Sequence, residues 1–211
     1  MHGLLESQIK MKRVTLIRHG VTIANLKKFY AGATDLPLAP EGERQAEALA
    51  KRVKAMRPDK ILSSPLKRAQ DTARIATSGI NLDIELDNDL REVDFGKWEN
   101  KSYSELVRDY KEEVDRWFSW DPDFGFPDGE SYKGFSKRVR GVMEMIVDEE
   151  ADSLIVFTHG GVIGHLMCLI LGLGFQNQFS LLAPPASFVT LEQNNGALEL
   201  KESRWETGSG N

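Results

Sequence analysis

The chain has 211 residues, 41% of them hydrophobic, which is enough apolar material for one sizeable core and marginal for two. It has no run of about 18 apolar residues, so no membrane-spanning helix is expected, and a net charge of −5 with scattered basic residues argues against a general nucleic-acid binder. Cys168 is the only cysteine, so neither a disulfide framework nor a zinc cluster is expected, and a reducing, cytoplasmic setting is favoured.

In chain order, the N-terminus (MHGLLESQIKMKR) lacks the charged-then-apolar layout of a secretory signal. Residues 1–11 read as an extension before the fold, with a second methionine, Met11, just ahead of the first strand-like run. Val14–Arg18 reads as a buried strand. Glu41–Met56 reads as a helix, with Ala46, Leu49, Ala50 and Val53 at helical spacing. Lys60–Ser63 is a second strand, and Pro65 stands where a following helix would begin. Between Trp98 and Phe135 the chain is dense in Trp, Phe and Tyr, and Ser102 with Glu105 forms a capping box that opens a helix there. A later helix from about Tyr132 to Asp148 places Phe135, Val139, Val142, Met143 and Ile146 on one face. Leu154–Thr158 is a third strand, followed by Gly160-Gly161 and an apolar helix to about Leu171. Ser187–Glu192 and Leu198–Lys201 flank Asn195-Gly196 as a hairpin closing the sheet edge, and the last residues, Gly208 to Asn211, are expected to be mobile.

Alternating short apolar runs and longer amphipathic ones predict an α/β fold: a three-layer α/β/α sandwich whose sheet is mostly parallel with an antiparallel edge. The expected organisation is a single domain over 12–205, a helical insertion at about 99–136 covering the site, and a flexible tail over 206–211.

Three strand ends carry related chemistry. Arg18-His19-Gly20 follows the first strand, Arg68 opens the helix after the second, and His159-Gly160-Gly161 follows the third. Ligands of open parallel sheets bind outside the carboxyl ends of the strands. Two Arg and two His there would surround one tetrahedral anion, Arg donating in a planar fork suited to phosphate oxygens. Gly20 and Gly160 would let backbone approach it closely. A lone histidine at a strand end is more often a hydrogen-bonding residue without a chemical role. Here two of only four histidines occupy equivalent ends of different strands, and that joint pattern carries the weight.

The segments LIRHGVTIAN, SSPLKRAQDTA, LREVDFGKWEN, PDGES and FTHGG resemble, in order, the successive motifs of the histidine phosphatase (phosphoglycerate mutase-like) superfamily, over about Arg13 to Ser203. The resemblance implies a metal-independent phosphomonoester hydrolase that needs no cofactor and has a small-molecule phosphomonoester as its partner, with no nucleic acid and no membrane. By position it makes His19 the nucleophile, Arg18, Arg68 and His159 the phosphate clamp, and Glu92 the proton donor. Asn25 would be a further donor to the phosphate, with Gly20, Thr22 and Gly160 as additional substrate-binding positions. Without the resemblance, Glu92 reads as a surface residue paired with Arg91.

The chemistry suits those roles. Phosphomonoesters hydrolyse extremely slowly in water, so a covalent step that divides the barrier is useful. A neutral imidazole can attack phosphorus while its other nitrogen is held as a donor, and cations can stabilise the charge on the equatorial oxygens. Phe29-Tyr30-Ala31-Gly32, the Asp94–Glu99 stretch and the aromatic run ending at Phe135–Val139 resemble α-ribazole phosphatases within the superfamily. A sugar-phosphate phosphatase, with Lys97, Lys101 and Arg116 as candidate anion contacts, and a phosphoglycerate mutase-like enzyme are the alternatives. A phosphate-binding module without turnover is the reading of another class.

The sequence departs from the family pattern at two positions. Val21 stands where Glu is common, which removes a carboxylate from the pocket rim. Ala39 stands where a Thr cap is common, a loss of about 1 kcal/mol of capping. Cys168, in the apolar run LMCLIL, is read as core, with no Cys-x5-Arg loop. Asp121-Pro122-Asp123 is read as a turn, and His165, which lacks the i, i+4 spacing of a helical zinc pair with His159, as packing or partly exposed.

Overall fold

The computed structural model of the chain describes residues 12–194 and 196–204. Residues 1–11, Asn195 of the expected hairpin turn, and the C-terminal residues 205–211, including Gly208 to Asn211, lie outside the described residues.

Four stretches meet in the centre of one six-stranded sheet of order β3-β2-β4-β1-β5-β6. They are β1 (Lys12–Arg18), β2 (Lys60–Ser63), β4 (Ser153–Thr158) and β5 (Phe188–Asn194). Strands β1 and β4 are parallel, as are β4 and β2. On the other side β5 runs antiparallel to β1, and β6 (Ala197–Arg204) completes the antiparallel edge. Strand β3 (Ile84–Leu86), parallel to β2 at the far edge, has no precedent in the sequence reading. It has three residues, none of them buried, so it has no periodicity to detect.

Side-chain alternation splits the sheet's apolar residues between two cores, as a three-layer sandwich requires. Ile17, Ile61, Ile155 and Phe157 face α2 (Pro40–Ala55) and α3 (Lys67–Ala76) through Leu49, Val53, Ala73 and Ala76. Leu16, Leu62, Leu154 and Val156 face the other side, where α6 (Tyr132–Asp148) and α7 (Gly160–Ile170) contribute Phe135, Val139, Val142, Ile146, Ile163 and Leu166. Because both faces are covered, β4 reads as a nearly continuous apolar run. Met143, placed by spacing on the buried face of α6, is only partly buried and packs at the margin of that core.

Helix ends follow local chemistry. Ala39 caps α2 without a side-chain bond and Pro40 takes the first position, while Glu41 and Glu43 complement the helix dipole. The Ser102–Glu105 capping box opens α4 (Tyr103–Asp109), which leads into α5 (Lys111–Phe118). After Pro65, α3 begins two residues later than expected, with Leu66 as its cap. Further elements not anticipated include a short helix α1 (Ile23–Lys27) and a 3₁₀ segment Phe175–Leu181. Among the described residues, no helix is long and apolar enough to cross a membrane.

Candidate active site

The register of the central strands assembles the site. Arg18 pairs with Thr158 at the ends of β1 and β4, and the next peptide continues the ladder, with His19 N donating to Thr158 O at 3.0 Å. The chain leaving β2 joins them, since Ser64 N donates to Phe157 O at 2.9 Å. His19 and His159 therefore stand side by side with ring centroids 5.1 Å apart, both buried.

Each histidine is oriented by one hydrogen bond. Nδ1 of His19 lies 2.7 Å from Gly20 O. A carbonyl only accepts, so Nδ1 carries the proton and Nε2 keeps its lone pair. Burial, then Arg68 and Arg18, hold this imidazole well below the usual histidine range, against the Gly20 carbonyl, so it is neutral near pH 7. Nε2 of His159 lies 2.8 Å from Ser64 Oγ, which also accepts from Leu66 N at 3.3 Å. A hydroxyl that accepts there can send its own proton to His159 Nε2, which makes the buried Nδ1 a donor without a partner. Burial and the neighbouring cations keep His159 neutral as well.

Both arginines are buried and anchored by backbone carbonyls. Nη1 of Arg18 donates to Ala183 O at 2.5 Å, and its buried Nε has no partner. Arg68, 2% exposed, donates from Nη1 to Thr34 O at 2.8 Å and from Nη2 to Gly32 O at 2.7 Å. Burial lowers both guanidinium groups from their ordinary value, and Glu92 is the largest opposing influence in each case. Buried cations with uncommitted donors, beside a bare imidazole nitrogen, form a pocket suited to a tetrahedral dianion.

Glu92 is not paired with Arg91. It reaches α7, where Gly161 N donates to Oε2 at 2.9 Å, while Val93 N donates to Oε1 at 3.0 Å. The first turn of α7 has to be bare for this. A Cβ on Gly161 would fall 2.3 Å from Glu92 Oε1, and one on Gly160 would sit 3.1 Å from the Arg18 guanidinium.

Arg18, Asn25, Glu92 and Gly160 line a cavity of roughly 200 Å³ whose remaining wall is largely aromatic. Within the expected stretch, Trp117, Phe126, Tyr132 and Phe135 contribute, and Phe95, Phe29 and Tyr30 come from motifs nearer the N-terminus. Trp98 is fully buried and packs edge-on to Trp117 and Phe126, so it supports the wall from behind. Phe175, Gln178 and Phe179 of the 3₁₀ segment close the far side, which sequence reasoning missed; the i, i+4 aromatic pair in FQNQF was the available signal. Lys97, Lys101 and Arg116 are absent from this wall. Lys97 pairs with Asp128 at 3.0 Å and Arg116 with Asp121 at 2.6 Å.

Two expected substrate contacts are placed otherwise. Thr22 caps α1: its hydroxyl donates to Asn25 Oδ1 at 3.0 Å and accepts from Asn25 N, and it does not line the cavity. A β-hydroxyl before a helix satisfies orphan amides more readily than it reaches a ligand. The amide of Gly20 donates to Thr72 Oγ1 at 3.0 Å, so it is not available to an anion. Asn25 reciprocates the cap through Oδ1 and faces the cavity. Outside the site, Cys168 is buried, Asp121 Oδ1 accepts from Asp123 N in a turn, and His165 is a packing residue 3% exposed.

Comparison with known proteins places the chain in a family. Residues 14–206 match the histidine phosphatase superfamily (branch 1). A protein named "Probable phosphoglycerate mutase GpmB" from Cronobacter sakazakii is 37% identical over 77% of this chain and 76% of its own length. The adenosylcobalamin/alpha-ribazole phosphatase of Escherichia coli is 32% identical over 76% of this chain and 80% of its own. The crystal structure of the alpha-ribazole phosphatase from Shigella flexneri superposes with a TM-score of 0.82 at 28% identity, covering 90% of this chain and 95% of that one. The chain is thus a phosphatase that belongs to the histidine phosphatase superfamily.

Proposed function

We propose that this phosphatase hydrolyses phosphomonoesters through a phosphohistidine at His19, and that its preferred leaving group is a sugar bearing an aromatic base, as in α-ribazole 5′-phosphate. The observation that carries the reaction is the bond from His19 Nδ1 to Gly20 O, which leaves Nε2 bare beside Arg18, Arg68 and His159.

In the first half-reaction the Nε2 lone pair attacks phosphorus and the P–O ester bond breaks. Negative charge on the equatorial oxygens meets the unpartnered Nε of Arg18, the remaining donors of Arg68 and Nδ1–H of His159. The departing alkoxide takes a proton from the Glu92 carboxyl group, whose position between the clamp and the aromatic cavity suits that transfer. In the second half-reaction water attacks the phosphohistidine and gives its proton to Glu92. The N–P bond breaks, and inorganic phosphate and free His19 are regenerated.

The leaving-group assignment rests on the cavity wall. Flat rings stack on an aromatic base with about 1–3 kcal/mol per contact if nucleobase values transfer. A bisphosphorylated sugar needs further cations, and Lys97, Lys101 and Arg116 do not line the cavity.

Rapid-quench with labelled substrate should trap acid-labile, base-stable phosphate on the protein, and none on His19→Ala. A binding module without turnover would leave p-nitrophenyl phosphate intact. The substrate class is decided by kcat/KM for α-ribazole 5′-phosphate against fructose 2,6-bisphosphate, 3-phosphoglycerate and phosphoserine. A preference above about tenfold for any of the latter three, roughly 1.4 kcal/mol of transition-state binding, removes the ribazole assignment. Conversion of 3-phosphoglycerate to its 2-isomer would instead favour a mutase.

A further inference from the structure

We propose that Glu99 is a positioning residue for the phosphate clamp, holding Arg68 in place through the peptide between Gly32 and Ala33. The inference rests on the hydrolytic reading above.

Glu99 follows the fully buried Trp98 and turns its carboxylate into a loop that folds around it. Oε1 accepts from Gly32 N at 3.0 Å, Ala33 N at 2.9 Å and Phe95 N at 3.1 Å. Oε2 accepts from Gly32 N at 3.0 Å, Thr34 N at 3.2 Å and Thr34 Oγ1 at 2.5 Å. Three successive amides aimed at one carboxylate form an anion-binding concavity, here filled from within the chain.

The carbonyls of this loop point the other way and hold Arg68. Gly32 O and Thr34 O are its two anchors, and they belong to residues whose own amides are bound by Glu99. One peptide unit spans the two charges directly, since Ala33 N–H meets the carboxylate and Gly32 C=O meets the guanidinium at 2.7 Å. A peptide dipole aligned between an anion and a cation is strengthened at both ends, more at the buried Arg68 end than at the solvent-exposed Ala33 end. The loop also packs hard against the segment that carries Glu92, because a Cβ on Gly32 would fall 1.7 Å from Val93 O. Glu99 therefore registers the clamp against the proton donor. It does not line the cavity, and it acts through Arg68.

Glu99→Gln keeps the shape but turns an amide NH₂ toward backbone donors that need an acceptor. On the folded protein, kcat/KM for p-nitrophenyl phosphate and the affinity for vanadate should both fall about 10- to 100-fold, the scale of an ångström-sized misplacement. A double-mutant cycle separates positioning from general destabilisation. In an Arg68→Ala background the same substitution should change either quantity by less than about threefold. Equal losses with and without Arg68, or full activity in Glu99→Gln, would overturn the proposal. Thr34→Val removes one bond to the carboxylate and keeps the Thr34 carbonyl. It provides the same cycle at smaller amplitude if Glu99→Gln does not fold, with an expected loss only when Arg68 is present. A wild-type chain without turnover would defeat the hydrolytic reading, whereas the vanadate-binding cycle would still decide the role of Glu99.

Discussion

Gly161→Ala is predicted to disable proton donation while leaving the phosphate clamp intact. The new Cβ would lie 2.3 Å from Glu92 Oε1, 3.1 Å from its Cδ and 3.3 Å from Oε2. Ordinary contact at about 3.4 Å or more requires the carboxyl group to retreat by about 1 Å, which also breaks its bond from Gly161 N. A displacement of that size is expected to lower kcat/KM about 100-fold, or roughly 2.7 kcal/mol, for a substrate whose alkoxide needs the proton. p-Nitrophenolate departs without assistance, so the loss on p-nitrophenyl phosphate should stay within about fivefold. Stability should hold, because Ala is favoured over Gly in a helix by up to about 1 kcal/mol and the clash involves the end of a movable side chain. The assay is kcat/KM for α-ribazole 5′-phosphate or glycerol phosphate beside p-nitrophenyl phosphate, with a melting curve as control. Glu92→Gln should reproduce the same selectivity. Equal losses on alkyl and aryl substrates would refute the proton-donor assignment and make Glu92 a positioning group.

Stability should fall on acidification below pH 6.5. His165 is buried and its pKa is lowered to about 4, mainly by burial, so the unfolded chain binds a proton between those values that the folded chain refuses. The difference amounts to about 3 kcal/mol lost on going from pH 6.5 to 4, and His165→Gln should make the decline of Tm with pH shallower; a flat Tm between pH 7 and 5 contradicts this. Activity should survive excess chelator and be inhibited by vanadate, because in the proposed mechanism buried cations of the chain supply the charge stabilisation. Chelator-dependent loss restored by added metal would reverse that conclusion. Lys12, 7% exposed, donates to the carbonyls of Ile146, Val147 and Glu149 at the end of α6. Lys12→Met should lower stability by about 2–3 kcal/mol by orphaning those acceptors, and an unchanged urea midpoint would show that water replaces the ammonium.

Much of the molecule was legible in one dimension because its signals are local. The central strands are apolar on both faces, and α2, α6 and the Ser102 capping box carry periodicity and cap residues within a few positions. His19 and His159 stood out because each directly follows such a strand, where chain direction alone points the next residues to one edge of the sheet. Their proposed roles as nucleophile and clamp came from motif resemblance, since Arg-His-Gly is too short to specify a reaction.

Tertiary structure decided what depends on partners distant in sequence. Nothing near Glu92 announces that its carboxylate will dock on the amide of Gly161, 69 positions away, and its neighbour Arg91 was the obvious local alternative. Thr22 and Gly20 looked like anion contacts until local capping and Thr72 claimed their polar groups. The far wall of the cavity comes from the 3₁₀ segment Phe175–Leu181, whose few residues lack the length that makes a periodic pattern readable. Glu99 was one more charged residue after a tryptophan; six hydrogen bonds from loop 32–34 and Phe95 appear only once the chain has closed on itself. Apolar periodicity specifies which face is buried, because burial is a property each element expresses alone. Which buried polar groups meet depends on where the elements dock, because every buried donor and acceptor must be satisfied by whatever the fold brings within about 3 Å.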